Sequence, residues 1–184
     1  HVLTILDPDQ IASLLKTVND PAEFRSDYGL RSLSKFHEKH PFHLDDQCVG
    51  YEPGESIALL KGGNSNWRGP VWFPISFMLI ESVRKLRKGY GGILATRNAE
   101  GTREHINLQA LSSNIAEGLL NIFKRDESGR RPVFGDEEKF QNDPHWKDFI
   151  LFYEYFHGDS GKGLGASHQT GWTALIASII DEWR

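Results

Sequence analysis

The chain has 184 residues, a formal net charge of −4, 39% hydrophobic residues and 25% charged residues, which is the composition of a globular protein with a core. The mild, dispersed negative charge excludes a basic nucleic-acid-binding surface. The longest apolar run, residues 71–80, is too short to cross a membrane and is interrupted by Pro74. The single cysteine, Cys48, excludes an internal disulfide framework and favours a reducing, cytoplasmic location. No linker divides the chain, and we therefore expect residues 1–184 to form one domain or part of one.

Helices are predicted at about residues 8–18, 74–89, 104–124, 146–153 and 169–183, where apolar residues recur at helical spacing. Asp7 and Pro8 form a helix start, because an acidic N-cap is followed by a proline in the first turn. Residues 22–70 are rich in turn-forming pairs and are expected to be mostly irregular, and a loop region of that length is usually functional. No alternating strand pattern is visible. The expected fold is therefore all-α, with about five helices joined by long loops.

The segment 152–173 is the most informative part of the chain. Glu154 stands between Tyr153 and Tyr155, and four glycines follow at 158, 161, 163 and 165 before a polar and aromatic cluster at 168–172. Aromatic rings cover the apolar face of a pyranose, glycine lets the backbone approach hydroxyl groups, and a carboxylate can move a proton. This pattern favours a sugar site. The alternative is a surface glutamate at the end of a helix, where an anion is slightly unfavourable.

The segment 61–74 predicts a second sugar-binding element. Its residues 64–66 carry amide and hydroxyl groups, Trp67 and Trp72 can stack on rings, and Arg68 can bridge hydroxyls or steady a carboxylate. The alternative is a loop leading into a helix, with both tryptophans packed in the core. The nearby loop 51–56, with two glutamates, is either solvated charge or part of the same site.

Metal and cofactor sites are not predicted. His37, His40 and His43 have a spacing of three, but Pro41 interrupts the helix that would align them. His157 and His168 have no partner set with metal-ligand spacing. The phosphate loop GxxxxGK[ST] and the nucleophile elbow GxSxG are both absent from the sequence.

Three motifs together resemble glycoside hydrolase family 63, whose members include processing α-glucosidase I and microbial α-glucosidase and mannosylglycerate hydrolase relatives. They are residues 27–34, residues 62–74 with the string NWRGPVW at 66–72, and residues 152–173 with GWT at 171–173. The resemblance implies the C-terminal part of an (α/α)6 toroid and inverting hydrolysis of α-glucosides or related α-glycosides. The partner would be an oligosaccharide or a small α-glycoside.

By this resemblance Glu154 matches the general base that activates water. The residues expected to contact the sugar are Asn66, Trp67, Arg68, Trp72, Tyr153, His168 and Trp172. The family's general acid, an aspartate upstream of the Trp-Arg-Gly-Pro loop, has no counterpart here. Because the chain begins with His1 and holds only one methionine, we expect a C-terminal portion that binds sugar but has lost nearly all activity.

Two other functions stay open at this stage. One is a carbohydrate-binding or helical interaction module without catalysis, and the other is a different toroid glycosidase, such as a trehalase-like enzyme. A partial toroid would also expose helical faces made for packing. Self-association through those faces is a further expectation.

Overall fold

Three helices carry most of the core. The computed structural model describes residues 3–45, 47–57, 66–97 and 101–182, and its principal helices are α1 (Pro8–Asn19), α2 (Phe73–Tyr90) and α3 (Leu108–Asn121). The Asp7 carboxylate accepts from the Gln10 N–H at 2.8 Å, and the Gln10 side chain accepts from the Asp7 N–H at 3.0 Å, which is a capping box. The predicted first and second helices are confirmed.

The core forms where α2 and α3 pack side by side. Each helix buries residues spaced three or four apart, so that one face is apolar. The buried members are Ile11 and Leu15 of α1, Phe73, Ile80 and Val83 of α2, and Leu108, Leu111, Ile115 and Leu119 of α3. None of the described helices is both long and apolar enough to cross a membrane.

Eight short strands lie among the described residues, as four antiparallel pairs. They are β1 (Arg25–Ser26) with β2 (Gly29–Leu30), β3 (Phe42–Leu44) with β4 (Gln47–Val49), β5 (Ile93–Arg97) with β6 (Arg103–Asn107), and β7 (Tyr155–Phe156) with β8 (Gly163–Leu164). The prediction of an all-α fold, as part of an (α/α)6 toroid, is therefore wrong. Strands of two or three residues are too short to show an alternating pattern in the sequence.

The third predicted helix begins later than its apolar pattern suggests. Residues 103–107 form β6, and Asn107 then caps α3 by accepting from the Ala110 N–H at 3.0 Å. An isolated pair of strands is only marginally stable. Here β5 contacts α1 and α2, so tertiary packing overrides the helical pattern of residues 104–107.

The last two predicted helices are also wrong in part. Residues 146–153 contain turns and extended backbone, and the helix nearby is α4 (Glu138–Asn142). The predicted helix at 169–183 is split into α5 (Thr170–Thr173) and α6 (Ile176–Glu182), with residue 183 outside the described residues. Two short 3-10 helices, Lys35–Glu38 and Pro132–Phe134, complete the fold. The extended course of 152–156 arises because its backbone bonds to distant segments, as at Gln169 N–H to Phe152 O, 2.8 Å.

Backbone pairing at Val71 brings the two predicted sugar-binding segments together. The Val71 N–H donates to the Phe156 carbonyl at 2.8 Å, and the Phe156 N–H donates back at 2.9 Å. On its other side Val71 bridges Arg31. The loop before α2 thus lies between the segment that follows β2 and strand β7, with the side chains of 66–72 beside those of 154–156.

The contact of α3 with β2 depends on two glycines. A Cβ atom at Gly118 would lie 2.7 Å from the backbone nitrogen of Gly29, which itself has φ +122°. We expect Gly118→Ala to lower the free energy of unfolding by about 1–3 kcal/mol, because backbone must move to admit the methyl group. Urea unfolding measures the change. Asn114→Ala, on the exposed face of α3, is the control and should stay within about 0.5 kcal/mol of wild type. Equal stabilities of the two variants would contradict this contact.

Candidate active site

Four aromatic rings from three segments form one cluster, which we call the aromatic cluster: Trp67, Trp72, Tyr155 and Trp172. Trp67 stacks on Trp72 with ring centroids 3.9 Å apart and planes 3° apart. Trp72 also stacks on Tyr155 at 4.9 Å and meets Trp172 at 5.6 Å. The Val71–Phe156 pairing explains this arrangement, since Trp72 and Tyr155 are the residues next to the paired positions.

The rings of the cluster differ in their access to solvent. Trp72 is 3% exposed, whereas Trp67 is 47% and Trp172 is 38% exposed. Trp67 therefore rests one face on Trp72 and keeps much of its ring open, which is the geometry needed to stack on a pyranose. The alternative that both tryptophans pack in the core therefore holds for Trp72 and not for Trp67. The buried ring of Trp72 supports the exposed ring of Trp67.

Hydrogen bonds hold the rings in place. The Trp72 indole N–H donates to the Asn66 carbonyl at 2.9 Å, and the Asn66 amide donates to the Tyr155 hydroxyl at 2.6 Å. The Tyr155 hydroxyl lies 3.5 Å from Glu55 Oε1. Burial, followed by the negative charges of Glu55 and Glu154, raises the pKa of Tyr155 to about 12. The phenol thus keeps its proton and remains a hydrogen-bond donor at neutral pH.

Glu154 lies beside Tyr155, at the edge of the aromatic cluster. Its N–H donates to the Ala166 carbonyl at 2.8 Å, and its Oε2 accepts from the Ala166 N–H at 3.3 Å. The turn that makes this contact requires glycine at 165, because φ is +69° and a Cβ there would approach Glu154 Oε2 to 2.8 Å. The backbone of this turn therefore orients one oxygen of a half-buried carboxylate.

Arg68 occupies a buried position behind the cluster. Its Nη2 donates to Glu52 Oε2 at 2.9 Å and to the Ser56 hydroxyl at 2.6 Å. Glu52 Oε2 also accepts from the Ser56 hydroxyl at 2.5 Å and from the Ile57 N–H at 3.2 Å. Arg68 thus steadies a carboxylate of the 51–56 loop and joins that loop to the 66–72 segment.

Two of the predicted sugar contacts lie apart from the cluster. Tyr153 packs against the hydrophobic core, its carbonyl accepts from the Thr173 hydroxyl at 2.5 Å, and burial raises the pKa of its phenol, with Glu137 adding to the shift. His168 is exposed, and its backbone bridges Phe152. The predicted polar residues Asn64 and Ser65 lie outside the described residues. In the described ranges, no three His, Cys, Asp or Glu side chains gather as a metal site would require.

Residues 2–173 match the mannosylglycerate hydrolase MGH1-like glycoside hydrolase domain. The chain belongs to this family. The resemblance to glycoside hydrolase family 63, drawn from three motifs, is confirmed by this match and by relatives that are named glucosidases.

Three relatives span nearly the whole MGH1-like chain. The uncharacterized protein YMR196W of Saccharomyces cerevisiae is 42% identical and covers 98% of the chain. A Schizosaccharomyces pombe protein named probable mannosyl-oligosaccharide glucosidase is 26% identical over 96% of the chain. The Saccharomyces cerevisiae mannosyl-oligosaccharide glucosidase is 25% identical over 93%. The chain spans 17%, 16% and 15% of the lengths of these relatives, respectively.

Two residues of the candidate site are given no role by the sequence. Tyr155 was noted only as a neighbour of Glu154, and Glu55 only as part of an acidic loop. The alternation of side chains in extended backbone would put Tyr153 and Tyr155 on the same face, and they are separated because residue 154 lies at a bend. No sequence signal pairs Glu55 with Tyr155, which lies 100 residues away.

The raised pKa of Tyr155 predicts a pH effect on the stability of the MGH1-like domain. A folded-state pKa of about 12, against about 10 in the unfolded chain, means that the proton stabilises the fold fully below about pH 10. That contribution is lost as the pH rises through about 12. Urea unfolding should show wild type losing more stability than Tyr155→Phe across this interval. Parallel pH curves for the two proteins would contradict the assignment.

Proposed function

We propose that this chain supplies the general base and the sugar-binding loops of an enzyme that hydrolyses α-glucosidic or related α-glycosidic bonds. Glu154 is the base, and it removes a proton from the attacking water. The observation that carries the proposal is that the half-buried carboxylate of Glu154 is next in sequence to Tyr155 of the aromatic cluster, in which the ring of Trp67 is open to solvent. The chain also belongs to a glycoside hydrolase family. Family membership favours catalysis, because an aromatic platform alone is also found in binding modules.

The two parts of the site have separate roles in this proposal. The open face of Trp67 stacks on a pyranose, and the indole behind it keeps that face in place. The Ala166 N–H holds Glu154 Oε2. Within the described part of the chain Glu154 Oε1 accepts no hydrogen bond, so this oxygen is available to a water molecule. Tyr155 connects the two parts of the site. Its ring stacks on Trp72, and the negative charge of the neighbouring Glu154 acts on its phenol.

Hydrolysis with inversion requires a second carboxyl group about 6.5–9.5 Å from the first, acting as general acid. We propose that this acid is not part of the chain, because the resemblance supplies no counterpart for its motif. The isolated chain then binds sugar with little turnover. The names of the family and of two relatives, mannosylglycerate hydrolase and mannosyl-oligosaccharide glucosidase, support an oligosaccharide or a small α-glycoside as the substrate.

Replacing Glu154 by glutamine tests the assignment of the base. The amide keeps the shape of the side chain but cannot take a proton, so we expect turnover in the natural full-length protein to fall about 10²–10⁴-fold. The binding of disaccharides with α-linked glucose, measured by calorimetry, should change little, because Trp67 is untouched. Initial rates on a panel of α-glucosides and mannosylglycerate measure turnover.

Glu127→Gln is the matched control, since Glu127 is an exposed glutamate in a different loop, and its turnover should equal that of wild type. Near-normal turnover in Glu154→Gln would remove the base assignment. Rapid hydrolysis by the 184-residue chain alone would remove the claim that the acid lies elsewhere. Sugar binding without hydrolysis by the full-length protein would favour the second candidate, a carbohydrate-binding module, for which the open ring of Trp67 is the supporting observation.

Self-association is a separate proposal, supported by an apolar surface on α1 and α2. Ile75 and Met78, one turn apart on α2, are 45% and 55% exposed. Beside them an apolar cavity of about 320 Å³ opens between the end of α1 and Trp67. Surfaces of this kind are commonly protein contacts, and we propose a second copy of the chain as the partner.

Met78→Lys tests the proposed contact, because a buried ammonium group would oppose association. We expect the dissociation constant of the dimer, measured by analytical ultracentrifugation, to rise at least about tenfold. Ile93→Lys is the control, since Ile93 is also exposed but lies on β5. A wild-type chain that stays monomeric at high concentration would refute the proposal.

A further inference from the structure

One buried guanidinium group joins three segments of the chain: residues 21–31, the loop at Tyr51 and the loop at Asp159. The side chain of Arg31 is 7% exposed. Its Nη1 donates to the carbonyls of Pro21, at 3.1 Å, and Arg25. Its Nε donates to the Tyr51 hydroxyl at 3.0 Å, and its Nε and Nη2 donate to Asp159 Oδ1 at 3.2 and 2.9 Å. The planar donor array of arginine suits such a junction, and lysine could not reproduce it.

Asp159 carries the negative charge of this junction. Its Oδ1 accepts from Arg31, and its Oδ2 forms an ion pair with Lys35 at 3.1 Å. Burial acts to raise the pKa of Asp159, but the hydrogen bonds from Arg31 and Lys35 outweigh that effect and leave the pKa below its ordinary value. A partly buried carboxylate held by two cations on separate oxygens has a fixed position and orientation.

Asp159 is placed to control the segment that carries Glu154. It lies in the loop between β7 and β8, and this loop is closed by His157 N–H to Lys162 O at 2.8 Å and by Gly161 N–H to His157 O at 2.9 Å. The same hairpin continues into the turn at Ala166 that holds Glu154. The loop therefore has three attachments to distant segments: the backbone pairing of Phe156, the Gly158 N–H that donates to the Pro53 carbonyl at 2.8 Å, and the carboxylate of Asp159.

Two of these attachments converge on Arg31. Its backbone bridges Val71, which pairs with Phe156, and its side chain bonds to Asp159. Of the three attachments, the one at Asp159 is made by a charged side chain, so removal of that charge would loosen the tip of the hairpin while the backbone bonds of Phe156 and Gly158 remain. Because the Ala166 N–H is part of this hairpin, a looser hairpin holds the Glu154 carboxylate less firmly without displacing Trp67.

We infer that Asp159, anchored by Arg31 and Lys35, is a positioning residue that sets the orientation of Glu154 through the β7–β8 hairpin. The inference rests on the proposed function of Glu154 for its catalytic consequence, and on geometry alone for its structural consequence. Asp159 does not touch the substrate. It holds the Glu154 carboxylate where that group can bind the water molecule that attacks the sugar.

Asp159→Asn tests both consequences, because it keeps the side chain's size and removes its charge. Backbone hydrogen exchange of residues 154–166 should accelerate at least about tenfold, while the buried amides of α3 keep their wild-type rates. In the natural full-length protein kcat should fall about tenfold to a hundredfold, with KM within about twofold, because misplacing a base by an ångström affects the transition state and not the stacking surface.

Asp148→Asn is the matched control. Asp148 accepts from Arg125 at 2.9 Å in another loop, so its variant also breaks an arginine–aspartate pair, and it should leave both exchange at 154–166 and kcat unchanged. Lys35→Met is the milder second variant, for use if Asp159→Asn does not fold. It removes the partner of one oxygen only and should give smaller changes in the same direction.

Each outcome decides the inference. Unchanged local exchange in Asp159→Asn and Lys35→Met would overturn it, as would faster exchange spread equally over α3, which would indicate general destabilisation. Faster local exchange with normal kcat would overturn the positioning role while leaving the anchor in place. A wild-type protein without glycosidase activity would refute the proposed function, and the exchange result would still decide whether Asp159 orients Glu154.

Discussion

The pair of backbone hydrogen bonds between Val71 and Phe156 is the contact on which the candidate site depends. Neither residue belongs to a long strand, and the two lie 85 positions apart in the sequence (156 − 71). Their pairing puts Trp72 against Tyr155 and sets the loop before α2 beside the hairpin that carries Glu154. The bond between the Asn66 amide and the Tyr155 hydroxyl joins the same two segments through side chains.

The helices provide the support for this pairing. Phe73 follows the paired segment directly and is fully buried at the start of α2, and Phe156 is fully buried at the other side of the pairing. Their rings are 6.5 Å apart in an edge-on arrangement. Once α2 and α3 have packed, burying both rings loses little further conformational entropy. The core therefore stabilises the two irregular loops that carry these rings.

In the candidate site the aromatic side chains lie together, and the charged side chains lie in the loops around them. Trp67 is open, Trp72 and Tyr155 lie behind it, and the ion pair of Arg68 with Glu52 and the junction at Arg31 lie in the surrounding loops. Buried charges of this kind contribute little to stability on average, since desolvation opposes the attraction. Their greater use is to hold loops in one arrangement, which a catalytic carboxylate needs.

Features that arise from local sequence patterns were predictable, and features that arise from contacts between distant residues were not. The first two helices, one of them with its cap, and the family were predictable, because helical periodicity, the Asp7–Pro8 start and the motif at 66–72 are local patterns. The strands were not. Six of the eight described strands have only two or three residues and leave no periodic pattern, and the five-residue pair β5–β6 is stabilised by packing on α1 and α2.

For the site, residue type and neighbourhood in the sequence proposed Trp67, Arg68 and Glu154 as candidates. Tertiary contacts alone decided that Trp72 is covered, that Tyr153 joins the core and that Tyr155 faces Asn66. The physical reason is that the chain bends at residue 154, between Tyr153 and Tyr155, and this course is held by hydrogen bonds to the distant residues Val71 and Ala166. Local sequence patterns therefore indicated candidate residues, and pairing between remote segments decided which of their side chains lie together and which are exposed.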